Sequence, residues 1–152
     1  METYLLQLLT ASLGSLGFSL IFNVRGKNLF WGALGGLLAW GSYLIFLYLG
    51  CSDVIGYLLS SMLITVYAEI CARCFRAPAT VFLMSSAIPL IPGGSLYRTM
   101  VCAVGMDGMG FLQTGTHTLL LAGAISAGII LISTVMHAYY AAVGKGPAQP
   151  HG

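Results

Sequence analysis

The chain has 152 residues, 58% of them hydrophobic and only 7% charged, and its mean hydropathy is +0.91. Six Lys and Arg with four Asp and Glu cannot clothe a water-soluble domain, where about a quarter of residues carry charge. Composition therefore excludes a soluble globular protein and indicates an integral membrane protein of one domain, and a net charge of +2 without a basic cluster excludes a nucleic-acid surface.

A first apolar span is expected from Tyr4 to Phe22, closed by the polar turn Asn23 to Asn28. No basic segment precedes it, so it reads as a retained span rather than a cleaved signal peptide. The second span runs from Leu29 to Leu49, with Trp31 and Tyr48 near its ends, and the short link Gly50 to Asp53 fits a tight hairpin. Span three covers Val54 to Ala72 and ends at Arg73-Cys74-Phe75-Arg76-Ala77-Pro78, where Pro78 is placed to open the next helix. A fourth apolar region, Ala79 to Gly105, is followed by a glycine-rich connector from Met106 to His117 that reads as flexible. Span five is expected from Thr118 to Val143, so residues 1–143 form the transmembrane domain and 144–152 a short cytoplasmic tail without a packing pattern.

Five crossings put Arg25, Lys27, Arg73, Arg76 and Lys145 on one side and Glu2, Asp53 and Asp107 on the other. The positive-inside rule then places the N-terminus outside and the C-terminus inside. Gly32 with Gly36, Gly14 with Gly17 and Ala124 with Gly128 are spaced for close helix contact. Cys71 and Cys74 have CxxC spacing but no second pair or nearby histidine, and neither a metal nor any other cofactor is expected. A nucleophile elbow, an HExxH helix and a phosphate loop are all missing from the sequence, so no enzyme activity is expected.

The fourth region holds the most informative string, Ile88-Pro89-Leu90-Ile91-Pro92-Gly93-Gly94-Ser95-Leu96-Tyr97-Arg98. Two prolines and two glycines make a continuous helix expensive, and in hydrocarbon the freed backbone groups need protein or water around them. The expectation is a span broken into half-helices near mid-membrane, with the Gly93-Gly94-Ser95 amides at a helix N-terminus able to receive a carboxylate. Arg98, one turn on, adds a cation, and Tyr97 helps close the pocket; the alternative is a plain kink with Arg98 snorkelling to the outer interface. Glu69 precedes Arg73 by four residues and reads first as half of a helix-surface ion pair, second as a titrating group for proton coupling. His117 and His137 are assigned interface or packing roles.

These residues resemble the threonine/serine exporter family, through Arg73, Ala77-Pro78, Pro89, Pro92-Gly93-Gly94 and Tyr97-Arg98 in order within Glu69 to Arg98. The likeness is to its short all-membrane subunit, equivalent to the C-terminal half of full-length exporters. It implies a secondary exporter of small amino acids such as threonine and serine in the bacterial inner membrane, driven by the proton gradient. It also implies a larger membrane companion carrying the complementary half and a cytoplasmic domain, with homo-oligomerisation a further option. A related split pair exports dicarboxylates, which leaves the substrate class open; a channel and a non-transporting accessory subunit are the other readings. The substrate site implied by the break comprises Pro89, Pro92, Gly93, Gly94, Ser95, Tyr97 and Arg98, with Glu69 for the amine or the coupling proton.

Overall fold

The computed structural model describes residues 2–22 and 26–142. Among the described residues six α-helices follow one another: α1 (Glu2–Ile21), α2 (Lys27–Tyr48), α3 (Asp53–Phe75), α4 (Ala79–Ala87), α5 (Gly93–Val104) and α6 (Gly108–Ala142), with a 3-10 turn at Ile88–Leu90 before α5. Arg25, Lys145 and the tail 144–152 lie outside the described residues.

Helix boundaries have local causes. The α2–α3 turn passes through Gly50 at φ +85, a left-handed conformation that a side chain would strain. Gly50 and Cys51 donate their N–H groups back to the Leu47 and Phe46 carbonyls at 3.0 and 3.1 Å, closing the end of α2. Ser52 enters α3 in an extended conformation, and Asp53 in the first turn faces the positive end of the helix dipole. At the other end Arg76 is left-handed and the Ala77 N–H reaches the Ala72 carbonyl at 3.0 Å, after which Pro78 precedes α4.

Helix α3 is the centre of the bundle and packs against α2, α4 and α6; α1 lies on the far side of α2, and α5 packs on α6. Small residues set the spacing. Gly36 meets Ser15, Gly32 meets Ser19, Gly35 meets Ser86, and Gly128 meets Ser61 and the Leu58 carbonyl, so backbones approach where no side chain intervenes. Gly14 and Gly17, grouped with these on spacing, have nothing within 4 Å and are not at a described contact. The buried hydroxyls of Ser19, Ser61, Ser85 and Thr65 donate to carbonyls three or four residues back in their own helices, which removes most of their cost in an apolar interior. Aromatic residues fill the two ends of the core: Tyr43 and Tyr57 at the Asp53 end, and Phe82 with Trp31 and Phe75 packed beside it at the opposite end.

Length and apolarity qualify α2 from Asn28, α3 and α6 as membrane spans; α4 and its 3-10 turn form with α5 a pair bent by 53° that also qualifies when taken as one broken span. The apolar part of α1, Leu5–Ile21, is shorter. The protein is thus an all-α, multi-spanning membrane protein, with three such spans among the described residues, or four with the bent pair.

Two expectations need correction. The connector from Met106 to His117 is not a flexible loop, because α6 starts at Gly108 and continues for 35 residues. Asp107 caps it, accepting the Gly110 N–H at 3.0 Å, and Thr99 and Cys102 of α5 pack against Gly115 and Gly110. The Glu69–Arg73 ion pair is also absent among the described residues. The Arg73 guanidinium instead lies 3.0 Å from the centroid of the Tyr140 ring, an attraction between a cation and a π face that joins the C-terminal ends of α3 and α6.

Candidate functional site

The break between α4 and α5 comes mainly from its second proline. Ile88 precedes Pro89 yet stays helical, and the chain accommodates the missing N–H by tightening into the 3-10 turn. Ile91 precedes Pro92 and is extended, at φ −62 and ψ 123, because the proline ring crowds a helical residue before it. A new helix then starts at Gly93. The Gly93 N–H turns back to the Ile91 carbonyl at 2.7 Å and the Leu96 N–H to the Pro92 carbonyl at 3.0 Å. The intervening N–H groups of Gly94 and Ser95 have no acceptor within the helix.

Two adjoining cavities flank this helix start. One, of about 270 Å³, is lined by Pro89, Pro92, Gly93 and Gly94 against Trp40 and Tyr57. The other, of about 440 Å³, is lined by Asp53, Ser95, Arg98, Gln113, Thr114 and His117. Ser95 and Arg98 line both. Tyr57 is one turn along α3 from Asp53, about 6 Å, so the break packs beside the Asp53 end of α3.

Asp53 organises the second cavity. Its Oδ1 accepts the Tyr43 hydroxyl at 3.1 Å, and its Oδ2 is 3.9 Å from His117 Nε2. Tyr43 is buried against Tyr57, ring centroids 4.5 Å apart, and its ring also lies 5.0 Å from that of Trp40, so this hydroxyl is held in place by aromatic neighbours. From α5, Thr99 donates to the Ser95 carbonyl at 2.9 Å and its hydroxyl lies 3.3 Å from that of Thr118, which fixes α5 against α6 just above the site. Across the two adjoining cavities lie a cation, a carboxylate, an imidazole and two unpartnered amides, and each cavity has the size of a small polar solute. No group of three His, Cys, Asp or Glu fit to hold a metal ion exists among the described residues.

A family model for "Threonine/Serine exporter, ThrE" matches residues 7–135. The chain belongs to the threonine/serine exporter family. Its role is that of a secondary transporter of small amino acids. No solved structure matches the chain.

Six of the residues named from the exporter's sequence line the cavities: Pro89, Pro92, Gly93, Gly94, Ser95 and Arg98. Tyr97 lines neither and is 70% exposed. Glu69 lines neither, being four turns beyond Asp53 on α3, about 24 Å along the axis. The carboxylate that does reach the site is Asp53, which the sequence offered as part of a tight turn on the acidic side, and its imidazole neighbour is His117, read from sequence as an interface or packing residue. Their meeting is tertiary, since 64 positions separate them; the available signal was that Asp53 is one of only four acidic residues in the chain.

Proposed function

We propose that the chain is one half of a proton-coupled secondary exporter of small zwitterionic amino acids, with five crossings in the bacterial inner membrane, the N-terminus outside and the C-terminus inside. In this reading α1 crosses with a short apolar segment and the bent α4–α5 pair is the fourth crossing. The substrate carboxylate docks on the Gly94 and Ser95 amides with Arg98 alongside, and its ammonium group faces Asp53. The observation that carries the reading is that Arg98 and Ser95 line both cavities at a helix start whose amides lack internal acceptors.

A carboxylate across from Arg98 favours a zwitterion over a dicarboxylate, whose second negative group would meet Asp53 as a like charge. Gly93, Gly94 and Arg98 are exposed in the isolated chain although they lie on the site. Hydrocarbon would not accept bare amides and a guanidinium, so this face needs a cover, which a larger companion carrying the complementary half and a cytoplasmic domain would supply.

The test is uptake of L-threonine into inverted membrane vesicles containing the chain and its companion at matched abundance. Arg98→Ala is expected to lower proton-driven uptake on the order of tenfold or more, since a charge-assisted bond to the substrate is lost. Unchanged uptake would remove the α5 helix start from the transport path.

A further inference from the structure

We infer that the Asp53 carboxylate is a single acceptor for which a proton on His117 and the ammonium group of the transported amino acid compete, making these two side chains the point where proton and substrate movements are exchanged. The inference rests on the reading of the cavity as the substrate site. Asp53 Oδ1 is engaged by Tyr43, whereas Oδ2 is 3.9 Å from His117 Nε2, beyond hydrogen-bond length. That oxygen therefore keeps unused lone pairs. Both side chains line the cavity and are nearly half exposed, 47% for Asp53 and 44% for His117, so either an ammonium group or a shift of the imidazole can reach that oxygen.

Charge decides that only one of them does so at a time. The groups around Asp53 are Tyr43 from α2, Tyr57 from α3, Arg98 from α5, and Gln113, Thr114 and His117 from α6. Arg98 is a permanent cation, and the two tyrosines and Gln113 bring no positive charge. With the substrate carboxylate answering Arg98 and its ammonium answering Asp53, the charges of the loaded site balance, and a protonated His117 would add a third cation with no carboxylate left to pair with it. Neutral His117 leaves Asp53 to the ammonium; protonated His117 pairs with Asp53 and repels it. Imidazole is the side chain suited to this, since it exchanges a proton over the range in which the two faces of a membrane differ.

The cycle balances. An amino acid leaving toward the acidic outer face frees Asp53, and water on that side supplies a proton to His117 Nε2. The next amino acid arrives from inside with its ammonium already charged, takes Asp53, and the His117 proton passes to water on the inner side. One proton enters for each amino acid exported.

Equilibrium binding of radiolabelled L-threonine to the purified complex with its companion, between pH 5.5 and 8.5, tests the competition. Wild type is expected to bind more weakly as pH falls, the slope approaching about tenfold per pH unit on the acid side, with up to one proton released per threonine bound. His117→Gln abolishes this slope, whereas His137→Gln, at an exposed position on the opposite part of α6, retains it. His117→Asn serves as the second variant should the glutamine form fail to assemble. A pH-independent wild type, or a slope that survives in both His117 variants, would overturn the competition. The underlying site is judged separately at pH 8.5: Asp53→Asn and Arg98→Ala each weaken threonine binding if the cavity is the substrate site, and if neither does, the site assignment fails before the competition is reached.

Discussion

At Gly128 a hydrogen atom is all that separates two helices. A Cβ there would sit 2.8 Å from the Leu58 carbonyl oxygen and 3.2 Å from Met62 Cγ, and the first of these is backbone that cannot swing aside. Gly128→Ala should therefore force α3 and α6 apart at mid-length and cost about 1–3 kcal/mol, read as a lower thermal midpoint in detergent. Gly123→Ala on the same helix is the contrast, because nothing lies within 4 Å of its Cβ and the gain in helix propensity should leave stability equal or slightly higher. The spacing of Ala124 and Gly128 announced this contact, and that of Gly32 and Gly36 announced the one with Ser15 and Ser19. Gly14 and Gly17 carried the same small-residue signal with no contact behind it, since spacing marks a smooth surface and not what packs on it. Asp53 and His117 were harder still: each is ordinary in its own segment, and only the parallel packing of α3 on α6 makes them neighbours.

Helix α6 shows how an element can hide. Gly108, Gly110 and Gly115 each lower helix propensity by about 1 kcal/mol, enough to make residues 106–117 read as loop. Two features outweigh them: the Asp107 cap and the packing of Thr99 and Cys102 against this stretch. Asp107→Ala should cost about 0.5–2 kcal/mol, with faster amide hydrogen exchange confined to the first turns after Gly108 and no change around Leu121 and Gly128. The break between α4 and α5, in contrast, was legible, because proline acts through covalent geometry that no tertiary contact cancels. Its place against the other helices was not legible. That place is set by what α5 rests on, and α5 rests on α6 near His117, close to the Asp53 end of α3.

For the whole molecule, the apolar composition gave the membrane class and an all-helical fold directly, while the exposed faces of the isolated chain leave lipid and companion contacts undivided. The proposed orientation is open to labelling. With the other native cysteines replaced, Cys74, exposed near the end of α3, should react with a membrane-impermeant maleimide only after permeabilisation of the cell. Ser52→Cys in a cysteine-free background, at the opposite end of α3, should react from outside in intact cells. The reverse pattern would invert the topology and with it the direction in which acid discharges substrate. Helix α6 carries one more consequence. At 35 residues it is about 52 Å long, against a hydrocarbon slab of about 30 Å, and its first nine residues, paired with α5, overhang the start of α3 by about 13 Å. The tip of that overhang holds Val104, Met106 and Met109, all more than four-fifths exposed. Bilayer thickness therefore becomes a structural variable: a thick lipid leaflet wets these side chains with acyl chains, a thin one tilts α6 or strands them among headgroups, and either way the α5–α6 hairpin that carries Arg98 takes its angle from the surrounding lipid.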